Sequence, residues 1–122
     1  MSAPCAKLKD TIAAISTPAG RGGIGIVRLS GDCAVEIAKR ITRGNLETQP
    51  LIHCNFWDEG GCQLDRGLAL VFIGPNSYTG ADLIELHAHG NPLILEEILR
   101  VACHYGARLA RPGEFTEWAY RN

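Results

Sequence analysis

The stretch "LIELHAHGNPLILEEILRVACHYG", residues 83–106, constrains the fold more than any other. Its first seven residues alternate. Leu83, Glu85, His87 and His89 fall on one side, and Ile84, Leu86 and Ala88 on the other, as in a strand. The period then changes to that of a helix, with Leu95, Ile98, Leu99 and Ala102 in one apolar stripe. Asn91 suits the cap, Pro92 the first helical position and Gly106 the position after the end. A strand running straight into a one-sided helix needs a sheet on which that stripe can lie, which points to a layered α/β protein.

The rest of the chain supplies the sheet. "DTIAAIS" (10–16) and "IGIVRLS" (24–30) read as strands, and "GDCAVEIAKRI" as a helix with Ala34, Val35, Ile37, Ala38 and Ile41 inward and Ser30 or Asp32 as its cap. "LIHCNFW" (51–57) alternates, with Ile52, Cys54 and Phe56 on one side. "LALVFIG" (68–74) is apolar throughout, as in a central strand covered on both faces. The "DEGG" between them is hairpin punctuation, "PNSYTG" (75–80) is a turn-rich loop, "ARLA" (107–110) is a short strand, and "GEFTEWAYRN" begins a helix. The expected fold is therefore α/β (α+β), a mixed sheet of about five to six strands with about three helices. Residues 1–9 read as a tail and 10–122 as one domain. The last helix carries no stop signal, so the sequence is expected to continue in a longer protein.

Composition removes several function classes. No apolar run approaches the roughly 18 residues a membrane span needs, and "MSAPCAKLKD" lacks the apolar core of a secretory signal. A net charge of −1 leaves no electrostatic footprint for nucleic acid. The five cysteines are odd in number and form no C-x-x-C, which suits free thiols in a reducing, cytoplasmic setting.

Gly20, Gly22 and Gly25 in "STPAGRGGIGIVRLSG" spell G-x-G-x-x-G. A dinucleotide fingerprint closes a strand and opens a helix, because the pyrophosphate rests on the helix N-terminus. Here the next element is a strand, and Glu47, near the spacing of a ribose ligand, lies in a polar loop. A phosphate-binding P-loop needs a lysine where Ile26 stands. The glycines read instead as a tight connection with Arg21 at its tip, where backbone turns or approaches something closely.

Two charged residues stand on strand faces where apolar ones would be easier. Arg28 shares its face with Ile24 and Ile26, and Glu85 shares its face with Leu83, His87 and His89. Each has a plain reading, Arg28 as a sheet-edge arginine and Glu85 as half of a structural ion pair with Arg28, and a sharper one. The sharper reading is a guanidinium kept for a carboxylate or carbonyl, and a carboxylate kept for a heterocycle offering adjacent N–H donors. His87 and His89 alone make half a metal site at most. Arg111 and Glu114 in "RPGEFTE" read first as the cap of the last helix.

The blocks "DTIAAISTPAGRGGIGIVRLSG", "GLALVFIGPNSYTGADLIELHAHGNP" and "GARLARPGEFTEWAYRN" resemble, in order and spacing, the N-terminal domain of the MnmE/TrmE family of tRNA-modification GTPases. The resemblance implies a module similar to folate-binding aminomethyltransferase domains. Such a module binds 5-formyltetrahydrofolate as a one-carbon source and forms a homodimer. The parent protein would install a carboxymethylaminomethyl-type group on the wobble uridine of tRNA, together with a flavoprotein partner called MnmG or GidA. GTP, Mg and K would belong to a GTPase domain outside this sequence, so this chain alone is not expected to be catalytic. Arg28 and Glu85 match folate contacts of the family; a further contact, a lysine, would follow shortly after Asn122. A plausible division has Glu85 accepting from the pterin amine and ring N–H, and Arg28 pairing with an anionic or carbonyl oxygen. "ELHAHGNP" departs from the family's commoner "ELQGHGGP", and "EFTEWAY" from "EFTERAF", at Trp118 among others. The competing reading is a dimerisation module with a vestigial pocket. An autonomous folate-dependent transferase fits less well, since no nucleophile or general base stands out.

Overall fold

The computed structural model describes residues 10–16, 23–46 and 49–121. The strands are β1 (Thr11–Ile15), β2 (Ile24–Gly31), β3 (Leu51–Trp57), β4 (Gln63–Phe72), β5 (Leu83–His89) and β6 (Arg108–Leu109). The helices are α1 (Ala34–Thr42), α2 (Pro92–His104) and α3 (Glu114–Arg121). The strands form one six-stranded sheet in the order β3-β4-β5-β2-β1-β6. Every neighbouring pair is antiparallel except β1 and β6, which run parallel. This is the mixed α/β sheet with three helices that the sequence predicts.

Helices α1 and α2 cover one face. The stripes Ala34, Ile37, Ala38, Ile41 and Leu95, Ile98, Val101, Ala102 are buried against Ala13, Val27, Leu29, Phe56, Ala69, Ile84, Leu86 and Ala88. The third glycine of the G-x-G-x-x-G pattern serves this packing. A Cβ on Gly25 would lie 2.3 Å from Leu95 Cδ1, so α2 sits directly on the β2 backbone there. Gly20, Arg21, Gly22 and Glu47 lie outside the described residues. Gly31 ends β2 at φ +133°, and a Cβ there would meet the Asp10 carbonyl at 2.4 Å, so the chain turns where only glycine fits.

Four local expectations need correction. Strand β4 begins at Gln63, five residues before its apolar stretch, because hairpin pairing with β3 (Phe56 opposite Asp65, Asn55 opposite Arg66) recruits polar residues that no apolar pattern marks. That strand is also not covered on both faces by helices, and Phe72 at its end is 37% exposed. The N-cap of α1 is Cys33, without a side-chain cap. Thr11 Oγ1, 22 positions away, accepts the Cys33 N–H at 2.8 Å instead, while Ser30 is committed elsewhere. Finally, Cys54, Cys62 and Cys103 are free, but Cys33 is disulfide-bonded, since cysteine spacing along a chain does not reveal proximity in space. Asn91 does cap α2, accepting from the Leu93 N–H at 2.9 Å, with Pro92 following.

No described helix is long and apolar enough to cross a membrane.

Candidate functional site

The face of the sheet opposite α1 and α2 carries the site. Strand alternation places Ile24, Ile26 and Arg28 of β2, Leu68, Leu70 and Phe72 of β4, and Glu85, His87 and His89 of β5 there. The ladder then sets Arg28 opposite Glu85, Ile26 opposite His87, Leu70 opposite Glu85 and Leu68 opposite His87. The two residues singled out in the sequence thus meet across neighbouring strands. Arg28 Nε donates to Glu85 Oε2 at 2.9 Å, and His87 Nε2 lies 2.9 Å from Glu85 Oε1. Both carboxylate oxygens have a partner, which fixes the plane of the group. Among the described residues, no hydrogen bond engages the terminal guanidinium nitrogens of Arg28.

The loop between β4 and β5 forms a wall beside this pair. It is pinned to β2 by Thr79, whose hydroxyl is buried 2.6 Å from Ser30 Oγ. Further bonds run from Ser30 Oγ to the Asp82 carbonyl (3.0 Å) and from the Gly31 N–H to the same carbonyl (3.0 Å). The Gly74 N–H donates to Asp82 Oδ1 at 3.0 Å, and Ser77 Oγ donates to the Ala81 carbonyl. Held this way, the Tyr78 ring stands 6.0 Å from the Arg28 guanidinium, within reach of a cation–π contact. Tyr78, Phe72, Leu83, Arg28 and Glu85 line a hollow of about 420 Å³, a size at the lower end of small-molecule sites. Sequence reasoning found Arg28 and Glu85 but missed Tyr78 and Phe72. Their place depends on how the loop docks, which the Ser30–Thr79 bond decides and no local pattern announces.

A second hollow of about 330 Å³ lies further along the same face, lined by Ile24, His53, Arg66, Leu68, His87 and His89 among others. His89 is held by Asp65, which accepts from its backbone N–H (2.8 Å) and lies 2.8 Å from its Nδ1. Burial tends to raise the Asp65 carboxyl pKa, but the N–H groups of His89 and Arg66 outweigh it and lower the value overall. His87 and His89 thus turn to two different carboxylates. Among the described residues no group of three or more His, Cys, Asp or Glu side chains is arranged to hold a metal ion.

Arg111 and Glu114 do brace the last helix. The Glu114 side chain is 1% exposed. It accepts from the Arg111 N–H (2.8 Å), from Arg108 Nη1 and Nη2 (3.0 and 2.8 Å) and from Arg111 Nη2 (3.1 Å). The Arg108 guanidinium, with Arg111 behind it, holds this carboxyl well below the usual carboxylate range. A larger hollow, about 560 Å³, is lined by Asp10, Asp32, Asp82, Trp118 and Arg121 among others, and excludes both Arg28 and Glu85.

The chain is thus an α/β sheet with helices on one face and, on the other, a paired arginine and glutamate in a small, partly aromatic hollow. The family described as "GTP-binding protein TrmE N-terminus" matches residues 11–122. Proteins named "tRNA modification GTPase MnmE" are similar: that of Ectopseudomonas mendocina is 50% identical over 114 residues and that of Francisella philomiragia 48% over 114, each across 93% of this chain. That of Pseudomonas putida is 49% identical over 115 residues, or 94% of this chain. The chain belongs to the TrmE N-terminal family, and it spans about a quarter of the length of these relatives (25%).

Proposed function

We propose that this chain is the folate-binding and self-associating part of a tRNA-modification GTPase. In this reading 5-formyltetrahydrofolate seats its pterin over Arg28 and Glu85. The observation that carries it is the Glu85 carboxylate, oriented at both oxygens and 14% exposed at the base of a hollow walled by Tyr78 and Phe72. A carboxylate only accepts hydrogen bonds, and the amine and ring N–H of a pterin present two donors side by side. Tyr78 and Phe72 offer apolar surface to the flat ring, and the terminal nitrogens of Arg28 suit a carbonyl or formyl oxygen.

The exposed Ile24, Leu51 and Phe72 border the same open face and favour a second copy of the chain that closes over the seated folate. In the parent protein the one-carbon unit would serve modification of a tRNA wobble uridine in the cytoplasm, with an MnmG-type flavoprotein. GTP, Mg and K would act in a separate GTPase domain. A second reading keeps the dimer and drops the folate. It is favoured by the fact that Glu85 already has partners for both oxygens within the chain.

Calorimetric titration of 5-formyltetrahydrofolate into the 122-residue chain, with GTP as the control ligand, separates the two. Saturable folate heat, abolished in Arg28→Ala, supports the folate module. A flat folate trace with a dimer in sedimentation supports the second reading. Heat from GTP would overturn both, because the glycine loop precedes a strand and has no P-loop lysine.

A further inference from the structure

The open face continues beyond the Arg28–Glu85 hollow, and its character changes in a definite order. From Glu85, the face passes over Leu70, Leu68 and Ile26, which lie opposite Glu85 and His87 in the ladder. It then reaches the second hollow with Arg66, His53 and His89. Arg66 lies four residues along β4 from Leu70, so its Cα is about 14 Å from that of Glu85 by strand spacing. The Arg66 side chain forms no ion pair or hydrogen bond with any described residue. The nearest carboxylate in sequence, Asp65, is engaged by the backbone and ring of His89.

We propose that Arg66, with His53 and His89 beside it, is a second binding point that receives the carboxylates of an acidic tail on the ligand whose heterocycle sits at Glu85. This rests on the folate reading above and extends it. A folate has three parts in a fixed order: a hydrogen-bonding pterin, a flat aminobenzoyl ring and one or more glutamates. The face offers three parts in the same order: an acceptor carboxylate, a strip of Leu70, Leu68 and Ile26 with the His87 ring between them turned to Glu85, and an arginine. The spacing between the first and last matches one aromatic ring with its linkers. A guanidinium fork recognises a carboxylate through paired N–H donors. Specificity for glutamylated over tail-free pterins then resides in β4, and the chemistry-bearing end in β2 and β5.

The test is a set of titrations on the protein with two ligands, 5-formyltetrahydrofolate and a 5-formyltetrahydropterin that lacks the aminobenzoylglutamate. In the wild type, removing the tail forfeits both the ring's contacts with the strip and the carboxylate's bond to Arg66, and should weaken binding at least roughly ten- to a hundredfold. Arg66→Ala, which removes only the second, should weaken the folate roughly tenfold and leave the tail-free pterin unchanged, and Arg66→Lys should recover part of the loss. Equal effects of Arg66→Ala on both ligands, or no effect on the folate, would overturn the tail assignment while leaving the pterin site standing. Failure of the wild type to bind either ligand would remove the folate reading and the tail site with it. Arg66 is exposed and braces no other described group, so circular dichroism of the variant should match the wild type.

Discussion

Two arginine–glutamate pairs in this molecule look alike in sequence and differ in almost every physical respect. Arg108 and Glu114 are joined by two bonds, and Glu114 gains two more from Arg111 while staying 1% exposed. Arg28 and Glu85 share a single bond, and their side chains are 30% and 14% exposed beside an aromatic-walled hollow. The first pair has used its bonding capacity to fasten α3 to β6. The second leaves the two terminal guanidinium nitrogens of Arg28 without a hydrogen bond among the described residues, and a carboxylate that lines the hollow. The difference teaches that a charged pair on a strand is read by what remains unspent around it, not by the fact of pairing.

The largest expected effect follows from the fastened pair. Glu114→Ala removes the buried carboxylate shared by Arg108 and Arg111 and should cost about 2–3 kcal/mol in urea unfolding, at or below the low end for breaking a buried pair because both arginines are partly exposed and keep Asp10 and Glu117 as partners. A loss below about 0.5 kcal/mol would erase the contrast with Glu85. Glu114 also sets a pH signature. Its folded-state pKa is depressed by Arg108, so the stability it supplies is complete above the ordinary glutamate value and drains away as pH falls. Thermal melts should therefore drop between about pH 5 and pH 2 in the wild type, and less steeply in Glu114→Gln.

The two faces of β2 sharpen the same contrast one residue apart. Gly25→Ala pushes a methyl into Leu95 on the covered face and should cost about 1–3 kcal/mol. Ile24→Ser, on the open face, should change monomer stability by less than about 0.5 kcal/mol, yet shift sedimentation toward the monomer if a second copy covers this face. Glu85→Gln, in contrast to Glu114→Ala, should alter stability by under about 1 kcal/mol, as expected of a partly exposed ion pair.

Part of this was legible in the sequence. The bounds of α2 were marked by Asn91, Pro92 and Gly106, and the shared faces of Arg28 and of Glu85 followed from strand alternation alone. Their pairing did not, because it depends on the register of β2 against β5, two strands separated in sequence by a helix and a hairpin. Likewise Arg111 and Glu114 announced a cap, but Arg108, six residues before Glu114, joins them through the turn between β6 and α3. The polar start of β4, the Thr11 contact to α1, and the stance of Tyr78 are all tertiary. The first follows from a hairpin partner about ten residues back, the other two from partners tens of residues away, and no local pattern encodes any of them. For Asp65 and His89 the sequence offered no signal beyond a histidine at a strand end.

In this reading one pair recognises a ligand and the other holds the fold. The most direct test is to titrate 5-formyltetrahydrofolate into Glu85→Gln and Glu114→Gln side by side, each below its melting temperature. Lost folate binding in Glu85→Gln with binding retained in a destabilised Glu114→Gln is the predicted result. Equal folate affinity in the two variants would contradict it.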